Sequence, residues 1–211
     1  MIIRWLGHAS FLIKASGKTF YVDPYEGEYT EKADFILITH SHRDHCDPEK
    51  IEAARGPETL IVTSSDCAQG LEGNVVSMSP GDKREINGII IEAVEAYNFK
   101  RFRSPGVPFH PKGTQIGFVI SAEGKRVYHA GDSDFIPEMS RIRDIDIAFL
   151  PIMGRATMDL EEAVEAAVKI NPKIAIPMHR RGASEKEFKK KVEAKSNVKV
   201  LAITEGDEVD P

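Results

Sequence analysis

The stretch that decides the fold is Phe35-Ile36-Leu37-Ile38-Thr39-His40-Ser41-His42-Arg43-Asp44-His45. It opens with four apolar residues that are typical of a buried strand, and it continues with three histidines and one aspartate within six residues. Imidazole and carboxylate groups are the ligands expected for zinc, iron or manganese, and this spacing suits two adjacent ions better than one. A polar turn after a strand would not explain the clustering. The stretch therefore predicts a metal site at the carboxyl end of a strand.

Composition limits the class of protein. The chain has 211 residues, 41% of them apolar and 29% charged, which favours a single domain spanning residues 1–211. The first residues lack the features of a signal peptide, no apolar stretch reaches membrane-spanning length, and only two cysteines are present. A cytoplasmic protein without a disulfide framework is expected. The net charge of −5 argues against a broad nucleic-acid-binding surface.

Local signals predict a mixed α/β protein. Asp47-Pro48 marks a helix start and Gly56-Pro57 its end, while Asn87-Gly88 is typical of a hairpin turn. Residues 160–170 show the pattern of an amphipathic helix. Strand followed by helix recurs in both halves of the chain. Two packed sheets with helices on their outer faces satisfy this pattern, so the expected fold is α/β (α+β), a four-layer αββα sandwich.

Residues 98–113 differ from their surroundings. They contain three prolines, two glycines and three phenylalanines, together with several basic residues. This composition predicts a long functional loop that walls a substrate pocket.

Two further metal-competent residues also follow predicted strands. Asp132 comes after the strand at 126–130, and His179 comes after the strand at 173–176. Strand ends are where α/β folds place their sites. Asp132 and His179 are therefore expected to belong to the same site as the cluster that begins at His40.

The order of these motifs resembles a known family. The run from His40 to His45, then His129-Ala130-Gly131-Asp132, then Pro177-Met178-His179 is similar in order and spacing to the metal-binding motifs of the metallo-β-lactamase superfamily. The opening Trp5-Leu6-Gly7-His8-Ala9-Ser10-Phe11-Leu12-Ile13 and Val22-Asp23-Pro24 resemble the metal-dependent hydrolase branch that contains L-ascorbate-6-phosphate lactonase.

The resemblance implies a site for two divalent metal ions. Zn²⁺ is favoured, with Mn²⁺, Fe²⁺ and Ni²⁺ as alternatives. One later histidine joins the first ion; His110 is chosen, and a residue near Asn98 is the alternative. The implied ligands are His40, His42 and His110 for the first ion, Asp44, His45 and His179 for the second, and Asp132 as the bridge.

The resemblance also implies a function. We expect a metal-dependent hydrolase that uses a metal-bridging hydroxide on a small ester, lactone or phosphoester, with Asp44 and Asp132 as catalytic residues. A phosphodiesterase or nuclease, or a non-catalytic metal-binding metabolite sensor, is the alternative. The expected partner is a small-molecule substrate carrying an anionic group, without membrane association, and a homo-oligomer is left open. Substrate binding is assigned to His8, Asn98, Arg155 and Arg180.

Three other residues near the motifs receive minor interpretations. Asp23 precedes a proline and is expected to form a turn or to support the ligands. Cys46 is assigned to packing at a helix start, and Cys67 is given no role.

Overall fold

The computed structural model describes residues 1–210 and divides the chain into two compact units, each containing a seven-stranded sheet. The first unit contains residues 1–79 and the described residues from 203 onward, and the second contains residues 80–202. This confirms the prediction of a mixed α/β protein with two large sheets. No helix within residues 1–210 has the length and apolar character that crossing a membrane requires.

The sheet of the first unit begins as an antiparallel meander and continues with parallel strands. The first three strands pair antiparallel, and the third to the sixth pair in parallel. In spatial order β16-β1-β2-β3-β4-β5-β6, the strands are β1 (Ile2–Gly7), β2 (Ser10–Ala15), β3 (Lys18–Val22), β4 (Ala33–Ile38), β5 (Arg55–Ser64), β6 (Val75–Met78) and β16 (Glu208–Val209).

Two short helices belong to the first unit. Helix α1 (Pro48–Ala54) begins where it was predicted, because the Asp47 side chain accepts hydrogen bonds from two backbone N–H groups of the first turn. The helix ends directly before the predicted terminator Gly56-Pro57, with Ala54 as its last residue and Arg55 as its C-cap. The chain is extended from Arg55, and Gly56 and Pro57 lie inside β5. Helix α2 (Ser65–Ala68) follows β5 directly.

The sheet of the second unit repeats this change from antiparallel to parallel pairing. Its first four strands pair antiparallel, and the last four, which share one strand with them, pair in parallel. In spatial order β15-β14-β13-β12-β11-β8-β7, the strands are β7 (Lys83–Ile86), β8 (Ile89–Ala96), β11 (Gln115–Ala122), β12 (Lys125–His129), β13 (Ile147–Pro151), β14 (Ile174–Met178) and β15 (Lys199–Val200).

The predicted turn and the amphipathic helix of this unit are confirmed. Asn87 and Gly88 have φ values of 53° and 79°, as the two central positions of a tight hairpin turn require. Helix α3 (Leu160–Ile170) packs its apolar face into the core of the unit. Helix α4 (Glu185–Lys195) and a short 3-10 helix (Pro137–Arg141) complete the unit.

The predicted loop at residues 98–113 contains regular structure. A two-stranded antiparallel sheet forms from β9 (Phe102–Ser104) and β10 (Val107–Pro108) within the segment that was predicted to be a long loop. The side chain of Phe102 is 47% exposed and that of Phe99 is 45% exposed.

Candidate metal centre

In the first unit, the candidate ligands lie at the carboxyl edge of the parallel strands. Asp23 follows β3, and His40 follows the neighbouring strand β4, so both emerge at the same edge. The backbone N–H of Asp23 donates to the Leu37 carbonyl over 2.9 Å. The Asp23 carboxylate is fully buried and accepts hydrogen bonds from the backbone N–H and the hydroxyl of Thr39, at 2.8 and 2.9 Å.

A tight turn gathers the imidazoles of the first unit. The backbone N–H of His45 donates to the His42 carbonyl over 2.9 Å, which folds the segment back on itself. His40 Nε2 lies 3.1 Å from His42 Nδ1, and the ring centroids of His40 and His45 are 4.2 Å apart. His8 Nε2 lies 3.3 Å from Asp44 Oδ2. The first unit therefore brings together five of the predicted site residues, His8, His40, His42, Asp44 and His45.

Neighbouring oxygens determine the tautomers of two of these histidines. His45 Nδ1 lies 2.7 Å from Asp23 Oδ2, and a carboxylate can only accept, so Nδ1 carries the hydrogen. His40 Nδ1 lies 2.9 Å from the Thr39 hydroxyl, whose own hydrogen is donated to Asp23. In the neutral imidazoles the lone pair is therefore on Nε2 in both cases, ready for a metal. Asp23 thus contacts the candidate ligand His45, which agrees with the supporting role that was one of its two expected roles.

In the second unit, the candidate ligands again meet at one edge of the sheet. Strands β8, β12 and β14 run in the same direction, so Asn98, Asp132 and His179 all follow at the same edge. Strand β11 runs the opposite way and begins at this edge, directly after the segment that carries His110. The topology alone therefore explains why residues up to 81 positions apart share one site.

Three buried donors converge there. Asp132 Oδ2 lies 3.3 Å from His179 Nε2 and 3.9 Å from His110 Nε2. All three residues are at most 3% exposed. The backbone carbonyl of Asp132 accepts a hydrogen bond from the buried Gln115 side chain, which fixes the turn after β12. His129, by contrast, accepts a hydrogen bond from the Gly131 N–H at Nδ1 and supports the turn itself.

Asn98 holds the candidate ligand His110 in place. Its Nδ2 donates to Asp134 Oδ1 and to the Ala156 carbonyl, both at 3.0 Å, so Oδ1 faces His110. That oxygen accepts from the backbone N–H of His110 at 3.1 Å and lies 2.7 Å from His110 Nδ1. Because an amide oxygen can only accept, Nδ1 carries the hydrogen and Nε2 keeps its lone pair. Asn98, which was expected to bind substrate, is 3% exposed, and its amide contacts other residues of the second unit.

Asp134 anchors this arrangement, and sequence reasoning missed it. Its fully buried carboxylate accepts from the backbone N–H groups of Phe99 and Lys100, both at 2.8 Å, and from Arg101 Nη1 at 2.7 Å. Burial alone would lower the pKa of Arg101, but Glu162 and Asp134 outweigh it and raise that pKa, so the guanidinium stays charged. The only sequence signal was a second aspartate two residues after Asp132.

The arginines assigned to substrate binding occupy different environments. The Arg180 side chain is 15% exposed, and its Nη1 lies 3.7 Å from Glu185 Oε2. Burial lowers the pKa of Arg180, and Glu185 offsets part of that effect. Arg155 is exposed and lies in the segment after β13, whose neighbouring residues are mostly buried or half-buried.

The chemistry of the donors fits metal binding. In the first unit, His8, Asp44 and His45 each offer a ligand atom within 4.8 Å of the others. In the second unit, two imidazoles face one carboxylate oxygen. Mixed imidazole and carboxylate sets suit zinc, manganese, iron and nickel. Imidazoles whose other nitrogen donates to an oxygen are also the form in which histidine ligates metals, so the residues present fit a divalent ion.

Two sheets of mixed pairing, with His and Asp groups gathered at strand ends, define a mixed α/β metal-binding protein. Residues 2–179 match the sequence profile of the Beta-lactamase superfamily domain. A metal-dependent hydrolase of Methanosarcina mazei is 33% identical, over 98% of this chain and 97% of the relative. A Staphylothermus marinus relative of the same description is also 33% identical, over 98% and 97%. The chain belongs to the metallo-β-lactamase superfamily and, within it, to the UPF0173 metal-dependent hydrolase family.

Solved structures agree with this assignment. A protein of Parabacteroides distasonis shares 36% identity and a TM-score of 0.87, covering 94% of this chain and 90% of that chain. Igni18, a metallo hydrolase from Ignicoccus hospitalis, shares 26% identity and a TM-score of 0.81, covering 99% and 97%. The superfamily predicted from the motifs is confirmed.

Proposed function

We propose that this metal-dependent hydrolase uses two divalent ions, zinc in the first instance, to hydrolyse a small ester, lactone or phosphoester in the cytoplasm. The observation that carries the proposal is the state of the histidines: His40, His45 and His110 each direct Nδ1 at an oxygen and keep the lone pair on Nε2. The ligand assignment implied by the superfamily motifs is retained: His40, His42 and His110 for one ion, Asp44, His45 and His179 for the other, and Asp132 shared.

Side chains of the protein orient the attacking water and transfer the proton in the proposed reaction. When bound, such ions lower the pKa of a coordinated water towards about 7 and polarise a carbonyl or phosphoryl oxygen. The Asp44 side chain is reachable from solvent, because it is 28% exposed, whereas that of His8 is 3% exposed. Its carboxylate can orient a water and pass a proton to the leaving oxygen. His8 Nε2, 3.3 Å from Asp44 Oδ2, holds that carboxylate in place.

The test of the proposal is a metal-reconstituted screen. Wild-type protein and an Asp132→Asn variant are assayed on esters, lactones and phosphodiesters, with metal content measured by elemental analysis. We expect turnover by the wild type, and in the variant a loss of bound metal with a fall in kcat/KM of about 100-fold or more. Asp144→Asn, an exposed aspartate of the second unit, serves as the matched control. Circular dichroism verifies that each variant folds.

The same screen separates the alternatives. A preference for nucleic acids or phosphodiesters over esters and lactones would favour the phosphodiesterase or nuclease. The net charge of −5 speaks against a nucleic-acid substrate. A fully metallated wild type that turns over nothing in the panel would contradict the hydrolase and favour a metal-binding metabolite sensor.

We further propose an anionic substrate group, with Arg180 as its principal partner and Arg155 as a second. Arg180 follows the proposed ligand His179 directly, and its side chain is 15% exposed. A guanidinium can bind a phosphate or carboxylate group through two N–H groups at once. A phosphorylated lactone, the substrate class suggested by the resemblance to L-ascorbate-6-phosphate lactonase, combines such a group with a hydrolysable bond. Arg180→Met should then raise KM for phosphorylated substrates at unchanged metal content, and equal KM values would contradict this role.

A further inference from the structure

The two cysteines of the chain lie together in the first unit although 21 positions separate them in the sequence. Cys46 Sγ and Cys67 Sγ are 3.3 Å apart, and both are thiols. We propose that Cys46 and Cys67 are a dithiol site that a low-molecular-weight disulfide oxidises to an intramolecular disulfide. The site is separate from the proposed hydrolysis and does not depend on it.

The sheet brings the two thiols together. Strands β4 and β5 are parallel neighbours, so the segments that follow them emerge at the same edge. Cys46 ends the turn after β4, and Cys67 lies in α2 directly after β5. A hydrogen bond from the Ser41 hydroxyl to Asp66 Oδ2, at 3.0 Å, links the same two segments. The thiols are therefore held as neighbours by the fold.

The distance suits a disulfide without any change of strand pairing. A disulfide bond is about 2.05 Å long, so the sulfurs must approach by roughly 1.3 Å from their separation of 3.3 Å. Both cysteines lie outside the strands, in a turn and a one-turn helix. A movement of that size is available to side-chain rotation combined with a small shift of either segment.

Solvent reaches Cys46 more readily than Cys67. Cys46 is half-buried and lines a surface cavity of about 390 Å³, together with Ser41, Arg43, Pro48 and Glu49. Cys67 is 3% exposed. An external disulfide therefore meets Cys46 first, and Cys67 is placed to complete the reaction from inside.

The reaction balances with glutathione disulfide as the oxidant. The Cys46 thiolate attacks one sulfur of the oxidant, which forms a mixed disulfide and releases one glutathione thiolate. The Cys67 thiolate then attacks Cys46 Sγ and expels the second glutathione. The two protein thiols lose two protons and two electrons in total, and the oxidant is reduced to two glutathione thiols.

The cross-link ties the metal-ligand turn, residues 40–46, to α2. It closes a loop of about 22 residues, which in the chain-entropy description raises the midpoint of thermal unfolding by roughly 7–13 °C. Such a shift is large enough to be measured by calorimetry.

The experiment uses reduced, zinc-loaded protein incubated with glutathione disulfide. For the wild type we expect the intact mass to fall by two hydrogens, the titratable thiols under denaturing conditions to fall from two to none, and a cross-linked peptide to contain Cys46 and Cys67. Oxidised protein should melt at the higher temperature, and dithiothreitol should reverse the shift.

Two single variants complete the test. Cys67→Ser should stop at a glutathione adduct on Cys46, with no rise in melting temperature. Cys46→Ser should react slowly or not at all in the native state, because Cys67 is buried. A wild type that retains both thiols, that accumulates the glutathione adduct, or that forms disulfide-linked dimers instead would overturn the proposal.

Discussion

Asn98 connects the candidate ligand His110 to the buried anchor Asp134. Its amide oxygen faces His110 Nδ1 at 2.7 Å, and its amide nitrogen faces Asp134 Oδ1 at 3.0 Å. Replacing Asn98 by Ala removes the acceptor of the His110 Nδ1 hydrogen, and with it one constraint on the orientation and tautomer of the ring. We expect Asn98→Ala to weaken metal binding by about 10- to 100-fold, the usual cost of losing such a partner.

A competition titration of zinc against a chromophoric chelator measures this loss. Asn74→Ala, at an exposed asparagine of the first unit, is the matched control and should bind zinc like the wild type. Zinc affinity that is unchanged in Asn98→Ala would show that His110 needs no support, and would argue against His110 as a ligand.

At the scale of single residues, the sequence predicts the candidate metal ligands better than it predicts the residues that hydrogen-bond to those ligands. The spacing of His40, His42, Asp44 and His45 is a local signal, and the structure gathers these side chains in one turn. Asn98 and Asp134 are 36 positions apart, and only the strand order of the second unit makes them neighbours. The proximity of Cys46 and Cys67 was likewise missed, because it depends on the parallel pairing of β4 with β5 in the first unit.

At the scale of elements, Asp146 joins the starts of three strands in the second unit. Its carboxylate accepts from the backbone N–H of Arg126 on β12 and from Lys173 Nζ next to β14, both at 2.7 Å. Burial alone would raise the pKa of Asp146, but these two partners outweigh it and hold the pKa below its usual value. The ionised carboxylate therefore stabilises the folded state.

The sign of the pH dependence follows from this lowered pKa. The stabilisation is fully present above the unfolded-state pKa of about 3.9, and it is lost as the pH falls through the lower folded-state pKa. We expect Asp146→Asn to lower the free energy of unfolding at pH 7 by about 1–3 kcal/mol. The difference from the wild type should shrink below about pH 4.

Urea unfolding at pH 7 and at about pH 3 measures both values. Asp144→Asn, an exposed neighbour, serves as the control and should change the free energy of unfolding little at either pH. A difference for Asp146→Asn that persists undiminished at low pH would contradict the assignment to the ionised carboxylate.

Elements with strong local signals were predicted, and elements that depend on distant partners were not. Helix α3 has the predicted bounds, because Asp159 caps it in a capping box and one face is apolar. By contrast, β6 has four residues and β16 has two, in sequence that carries no alternation of apolar and polar residues. Each forms by hydrogen bonding to the backbone of a longer neighbouring strand, β5 for β6 and β1 for β16.

At the scale of the whole molecule, removing metal should lower thermal stability. A ligand that binds only the folded state stabilises it by about 2.7 kcal/mol at 100 times its dissociation constant. For a chain of 211 residues this corresponds to roughly 5–11 °C in the midpoint of unfolding. We therefore expect the zinc-loaded protein to melt higher than the same protein after chelation.

Differential scanning calorimetry with and without a chelator measures the shift. Asp132→Asn should show a smaller shift, because it lacks one donor, while the exposed Asp144→Asn should behave like the wild type. Equal midpoints for the loaded and chelated wild type would contradict a metal that binds only the folded protein.

The superfamily and the mixed α/β class of the whole chain were predictable, because ordered motifs and alternating elements carry that information locally. Which residues make up the first unit could not be predicted from the sequence. That unit combines residues 1–79 with residues from 203 onward. Ile3 pairs with Val209 and Arg4 pairs with Glu208. No sequence pattern predicts pairing between residues so far apart in the chain.

That last pairing has a consequence during synthesis. The outer edge of β1 can be covered by β16 only after residues 208 and 209 have left the ribosome. At about 5–20 residues per second, the nascent chain presents this unpaired edge for roughly 10–40 s. Exposed strand edges recruit strands from other chains. During translation this edge of β1 is therefore open to pairing with strands of other chains until β16 covers it.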